Sequence, residues 1–435
     1  MNPEFRRQLW LQFSSTRLLV LPVLLAACFA AVGLSLNKID QIAPALAFTG
    51  AALFGLLVWG MGTLAAGASV LDEITERTWD QQRMSAMQPW AMTWGKLAGA
   101  SAYGWYGAAW CLLVAVPSAL AVEESGVVLR LALGGALVGL LLQALVMAMN
   151  LQLAKAGGRI GRRGGVGILL FVLLWALGPL LGMVEGPDVA WWGRAFHRLN
   201  FSLASLALFA ACALVAAWRS MAEVLAVRQL PWGWPALALM LTVYLAGFAP
   251  EHRLAVFGVS GLATCALLTY VALLAEPQPR PLWQRVATRL ESGQWRAALQ
   301  QLPRWPTTLA LALPFAVLVW HTLPPEAVSS REFGGFGGAI GLHALVLVLL
   351  LARDCALALF LAFSPTGRRP VLGFWVLMLA LYGLIPWLLR AFESGILLGL
   401  AQPLLSPGGW SIAFAALHMG VALGLLRWRW KATSP

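Results

Sequence analysis

Charge is what this sequence has least of. Only 11% of its 435 residues are Asp, Glu, Lys or Arg, while 60% are hydrophobic. A soluble chain of this length cannot bury that much apolar surface, so the soluble globular classes are excluded. Cysteine is sparse as well. Cys28, Cys111, Cys212, Cys265 and Cys355 all lie inside apolar runs and show no metal-type spacing, which excludes a thiolate metal centre or a disulfide scaffold. No G-x-x-x-x-G-K-[ST] loop occurs. "GGRIGRRGG" (Gly157–Gly165) is glycine-rich but lacks the lysine spacing, so this chain carries no phosphate cradle of that kind. No cluster has the layout of a nucleophile, a metal site or a catalytic carboxylate pair. Alternating ten-residue strands are also missing, which excludes an outer-membrane barrel.

What is present is a series of continuous apolar runs, each near the roughly twenty residues that cross a bilayer core of about 30 Å. The pattern predicts an all-α, polytopic membrane helix bundle of about 12 transmembrane helices. The spans are Leu18–Leu36, Ala43–Ser69, Leu97–Val122, Val127–Leu153, Gly165–Val184 and Phe201–Trp218, then Trp232–Ala249, Leu254–Ala275, Pro306–Leu323, Ile340–Phe363, Val371–Leu389 and Trp410–Leu426. Leu18–Leu36 is too long for a cleavable signal core and reads as the first span. With the N-terminus inside, 23 of the 30 Lys and Arg fall on inner segments. The acids divide nine to each side, leaving the inner side at +14 and the outer at −2. This asymmetry places both termini in the cytoplasm. It ties the net charge of +12 to topology and membrane lipid, with no nucleic-acid partner.

The two halves repeat one plan. Two spans lead to a long polar inner loop, then come two spans, a short basic inner loop and two spans. The long loops are Val70–Lys96 and Glu276–Trp305. The short ones hold "IGRRGGVG" (Ile160–Gly167) and "TGRRPVLG" (Thr366–Gly373), 206 residues apart. The repeats are parallel, since each holds an even number of spans. The expected organisation is a six-span unit over 1–228 with coupling loop 70–96, and a second over 229–435 with inner loop 276–305.

Loop 70–96 is the most acidic stretch of the first half, with Asp72, Glu73, Glu76 and Asp80 within nine residues. A short helix fits there, capped by Asp72, Thr75 or Thr78 and stopped by Pro89. A helix so short needs a partner to be stable. The stretch "DEITERTWDQQRMSAMQPWAMTWGKL" resembles the segment after the second span of ABC-2-type exporter permeases. There an acidic run ending E-R-G-T is followed by a proline and a closing Gly-Lys. Glu76-Arg77-Thr78 matches without the glycine, Pro89 matches the proline, and Gly95-Lys96 closes the motif. The opening "NPEFRRQLWLQFSSTR" is similar to the family's start, Asn-Pro followed by an amphipathic basic elbow helix. Phe5, Leu9 and Phe13 fall at i, i+4 and i+8 and are expected in the membrane interface. The resemblance covers residues 1 to about 225.

It implies a permease subunit of an ATP-driven exporter in the bacterial cytoplasmic (inner) membrane, and not itself an enzyme. The polar helix would dock on a cytoplasmic ABC ATPase. The coupling role falls to Glu73, Glu76, Arg77, Trp79, Asp80 and Arg83. ATP and Mg would be held by the ATPase subunits, two per permease, with no cofactor in this chain. The second long loop is basic and departs from the acidic pattern. The expectation is a second, unequal docking loop for the ATPase, the alternative being an interfacial amphipathic helix over Leu282, Val286 and Leu290.

Arg353 and Asp354 stand near the middle of the tenth span, where charges mark an internal pair or a transport pathway. Neighbours on a helix point apart, so each is expected to find its partner on another span. Asn150 and Gln152 are expected to bond between helices. Two other classes fit twelve spans. A secondary transporter of the major facilitator kind would put its long inner connection between the halves, where this chain has only Arg219–Pro231. A membrane-embedded transferase would need a catalytic carboxylate or metal motif at one face.

Overall fold

The computed structural model describes residues 2–75, 84, 87–155, 186–227, 229–249, 253–323, 340–364, 370–391, 395–406 and 409–432. The chain is a multi-pass helical membrane protein. Among the described residues, nine helices are long and apolar enough to cross a bilayer. Contacts divide the chain into two compact units. The first comprises Met1–Val189 and Ala195–Gln229, the second Ala190–Arg194 and Leu230–Pro435.

In the first unit, Asn2 starts helix α1 (Pro3–Gln12). Its Oδ1 accepts from the Glu4 and Phe5 amides at 3.0 and 3.5 Å, with Pro3 in the first turn. Ser14 caps α2 (Ser15–Ser35) in the same way. The second span is one long rod, Ile39–Glu73. It runs as α3 (Ile39–Gly55), a π-helical turn over Leu56–Gly62, and α4 (Thr63–Thr75). The π turn has an identifiable cause. Gln143 reaches in from another helix and its Nε2 donates to the Val58 carbonyl at 3.0 Å, satisfying backbone that the wide turn releases. Trp59 on the same turn donates to the Gly135 carbonyl at 2.8 Å. The remaining helices are α5 (Pro89–Leu120), α6 (Ser125–Lys155) and α7 (Arg198–Val224). One core layer joins Ala66, Val70, Met92, Leu97, Met147, Leu151 and Met221. Asn150 and Gln152 bond across helices, to the Gly67 carbonyl (3.2 Å) and to Ser220 Oγ (2.8 Å).

The second unit opens on the turn of a hairpin, β1 (Val189–Trp191) and β2 (Arg194–Phe196). Trp192 and Gly193 both have positive φ, 51° and 75°, as a type I′ turn requires. Trp191 Nε1 donates to the Tyr244 carbonyl at 3.0 Å. The expected span Trp232–Ala249 is corrected to a shorter helix, α8 (Gly233–Ala246), whose 14 residues rise only about 21 Å before the chain turns at Gly247. Then follow α9 (Arg253–Ala275), α10 (Arg280–Glu291), α11 (Trp295–Leu299), α12 (Trp305–Thr322) and α13 (Ile340–Ala362). A second π turn, Ala380–Leu384, joins α14 (Pro370–Leu379) to α15 (Ile385–Ala391). Next come α16 (Gly395–Ala401), a 3-10 turn over Pro403–Leu405, and α17 (Gly409–Ala432). The span expected at Gly165–Val184 lies outside the described residues, as do all of the first Gly-Arg-Arg loop and residues 366–369 of the second.

Candidate functional site

The polar chemistry of the first unit gathers where α1 crosses α5. Gly95 and Gly99, one turn apart on α5, let α1 approach closely. A Cβ at Gly95 would stand 2.8 Å from Glu4 Cβ, and one at Gly99 would stand 2.5 Å from Gln8 Cβ. Glu4 and Gln8 are therefore the buried face of α1, while Trp10 (86%) and Leu11 (62%) are exposed. The expectation for this helix named Phe5, Leu9 and Phe13, in the membrane interface, and did not include the buried polar face. A helix laid along a bundle has two faces to satisfy, and the one against α5 is polar because Lys96 lies beneath it. Phe13 does find partners, edge-on to Tyr103 and Tyr106 at 6.0 and 5.9 Å.

Lys96 is fully buried. Its ammonium lies 3.1 Å from Glu4 Oε1 and also pairs with Glu73 Oε2. Arg7 donates to both Glu4 oxygens, at 3.0 and 2.9 Å, and to Glu73 Oε1. Gln8 Nε2 adds a bond to Glu4 at 3.0 Å. Asn2 Nδ2 donates to the Ala91 carbonyl. Two acids and two bases thus join the start of α1, the end of α4 and the first turns of α5, which are the two ends of loop 70–96. Burying these charges is tolerable because each is paired and hydrogen-bonded.

Burial alone would raise the Glu4 carboxyl, but the bonds from Arg7, Gln8 and Lys96 outweigh it and hold it below its usual 4.5. Glu4 and Glu73 push the Arg7 guanidinium upward. A carboxyl depressed in the folded state contributes stability above its unfolded pKa and loses it as pH falls through the folded value. The advantage of wild type over Glu4→Gln in thermal unfolding should be full at pH 7, begin to shrink below about pH 4.5, and vanish on further acidification. An advantage independent of pH would mean that Glu4 acts by shape alone.

Of the residues assigned to coupling, Glu73 lies inside this cluster and is only 7% exposed, so it ties the loop's base instead of facing outward. Glu76, Arg77, Trp79, Asp80 and Arg83 lie outside the described residues. Sequence reasoning read Lys96 as the end of a motif and missed it as the hub. The signal was available, because a lysine inside an apolar span demands a buried acid.

The second unit closes its long loop in the same place. Glu276, just past α9, pairs with Arg304 at the start of α12 at 3.1 Å and accepts from the Arg304 amide at 2.9 Å. Glu73–Lys96 and Glu276–Arg304 occupy matching positions in the two units. In both, an acid ends one helix and a base begins the next across a long loop.

Deeper in the second unit, Arg353 and Asp354 pair with each other, correcting the expectation of separate partners. The arginine stem is long enough to fold back. Its Nε donates to Asp354 Oδ1 at 2.8 Å, and Nη2 lies 2.7 Å from the same oxygen. Each also reaches other helices. Tyr270 on α9 and Tyr382 on the second π turn donate to Asp354 Oδ2 at 2.6 and 2.8 Å. Arg353 Nη1 lies 2.9 Å from His418 Nδ1 on α17. Arginine has no acceptor, so that imidazole nitrogen presents its lone pair. The Arg353 guanidinium also covers the Tyr382 ring at 4.9 Å. Four helical segments meet on one neutralised pair.

Among the described residues, no group of three or more His, Cys, Asp or Glu could hold a metal ion. The five cysteines are free thiols, with Cys28 exposed and Cys111, Cys265 and Cys355 buried. Comparisons with protein-family models, with curated proteins and with solved structures return no match to this chain.

Proposed function

We propose that this chain is the membrane permease subunit of an ATP-driven ABC exporter of the bacterial inner membrane, worked by separate cytoplasmic ATPase subunits. One observation carries the reading. The stretches that resemble ABC-2 permeases, Asn2-Pro3 with its elbow helix and the closing Gly95-Lys96, are in contact with each other and with Glu73. The contacting pairs Asn2–Ala91 and Glu4–Lys96 are 89 and 92 residues apart in sequence, and nothing in composition requires them to meet. A loop tied at both ends to buried charges cannot move without carrying α1, α4 and α5 with it. That is the mechanical property a coupling loop needs. Hydrolysis of ATP and the Mg that serves it belong to the partner, and the chain supplies the passage and the docking loop.

The test is whether an ABC-type ATPase is retained with this chain during purification of the membrane complex. Glu76→Lys with Arg77→Glu should insert normally and lower retention roughly tenfold, the effect of about 1.4 kcal/mol. Unchanged retention would remove loop 70–96 from the interface. No ATPase retained by wild type under any nucleotide condition would remove the exporter reading itself.

A further inference from the structure

We infer that the helical hairpin α10–α11 of the second unit is a docking surface for anionic phospholipid headgroups. The hairpin sits between the ends of two apolar helices, α9 and α12, and is fixed there. Glu276 pairs with Arg304 at its base. Gln278 Oε1 accepts from Trp283 and Trp305 at 3.2 and 3.4 Å. Arg280 donates to the Trp430 carbonyl at the end of α17 at 2.8 Å and stacks over that indole at 5.3 Å. Val286 is buried against this base. A hairpin held this way lies at the bilayer surface, since the ends of membrane helices form its support.

What it turns outward is a mixture of cations and large apolar groups. Arg285 and Arg296 are exposed, and Arg285 lines a shallow groove with Pro281, Gln284, Thr288 and Arg289. Arg289 is steadied by a bond to the Ala297 carbonyl at 3.1 Å. Beside them Trp295 is 65% exposed, Leu299 44% and Leu290 37%. Arginine next to exposed tryptophan and leucine suits an occupant that is anionic at one level and apolar just below, as a phospholipid is.

Charge argues against the ATPase as occupant. Residues 276–305 carry five arginines against two glutamates, while 70–96 carries four acids against three bases. One ATPase surface cannot complement both loops. If the acidic loop meets the ATPase, the basic one is left for the anionic bilayer. The hairpin's role stands whether or not the chain works with an ATPase, because the measurement uses the full-length protein alone.

The full chain is placed in nanodiscs of phosphatidylcholine with a minority of phosphatidylglycerol, one or the other brominated. The fluorescence of Trp295 is isolated as the difference between wild type and Trp295→Phe. Brominated phosphatidylglycerol should quench that difference about fivefold beyond its mole share, the scale of one or two arginines at an anionic surface. Arg285→Ser with Arg296→Ser should return quenching to the mole share, and Arg285→Lys with Arg296→Lys should preserve most of the enrichment. Both positions are exposed, so folding should survive, and an unchanged thermal midpoint verifies this. Absence of quenching by either lipid would overturn the proposal by putting the hairpin off the membrane. Quenching in proportion to mole share in wild type would overturn it by removing the headgroup preference. Enrichment left intact in the serine variant would overturn it by showing that these arginines do not hold the headgroups.

Discussion

Lys96→Met should be among the most damaging single substitutions in the first unit. The side chain is fully buried, and methionine nearly fills its volume while removing its charge. The change leaves Glu4 and Glu73 facing the same space, with Arg7 to serve both. Removing one partner from a buried ionic cluster costs about 3–5 kcal/mol, far more than the pair's net contribution, because the remaining charge loses both partner and water. For a unit the size of the first one, each kcal/mol moves the unfolding midpoint by about 2–4 °C, so a drop of roughly 10 °C in that unit's transition is the expected result in detergent. The triple variant Glu4→Gln, Glu73→Gln, Lys96→Met should recover much of that loss, since the one charge it leaves without an acid, Arg7, is 44% exposed and can turn to water. If Lys96→Met unfolded with wild type, the cluster would be contributing nothing to the first unit. If the triple variant fell as far as the single one, shape would matter there and charge would not. The triple variant also separates fold from coupling. If the chain works with an ATPase as proposed, a folded protein whose loop ends are no longer tied should still bind that ATPase but lose coordination between hydrolysis and the membrane helices.

The helical class was legible because hydropathy acts through length: a run near twenty apolar residues has few fates other than a membrane span. The exceptions are physical. The run at Trp232–Ala249 has the composition of a span, yet its helix stops at Ala246, where Gly247 accepts from the Trp192 amide of the hairpin turn. Apolar composition cannot register that tertiary bond. The π turns were illegible for a similar reason. The one at Leu56–Gly62 exists because Gln143 on another helix takes the freed Val58 carbonyl, and nothing near residue 58 announces it. The ionic cluster was half legible. Glu4, Arg7, Glu73 and Lys96 each stand out as charges beside apolar runs, but periodicity speaks of one element at a time, and these four come from three. Arg353 and Asp354 stood out as charges inside an apolar run, and both are buried. Their mutual pairing was missed because a rule about side-chain directions on a helix ignores how far arginine can bend.

That second cluster yields the other large effect. Asp354 is 0% exposed and Arg353 4%, so neither can turn to water when its partner is removed. Arg353→Met leaves a buried carboxylate held by the hydroxyls of Tyr270 and Tyr382. Asp354→Leu leaves a buried guanidinium held by His418. Each single change should cost about 3–5 kcal/mol, and the arginine left alone is the worse case, since one neutral imidazole supports it where two phenols support the carboxylate. The double variant should be closer to wild type than either single one, because removing both charges removes the desolvation problem. Tyr270→Phe and Tyr382→Phe, which take one donor from Asp354 Oδ2, should cost about 1–3 kcal/mol each. The thermal midpoints of these five variants, read with the chain in one lipid composition, give the ordering. A double variant less stable than both singles would mean that the four helical segments need this polar contact for their arrangement, over and above its charge balance. Under the proposed exporter role, a double variant that is stable and still binds the ATPase, yet leaves hydrolysis uncoupled from transport, would move the pair from structure to pathway. The fold favours the structural outcome: the π turn brings Tyr382 to the carboxylate beside Tyr270 of α9, and Arg353 reaches Asp354 and His418 of α17, leaving only its Nη2 without a hydrogen bond.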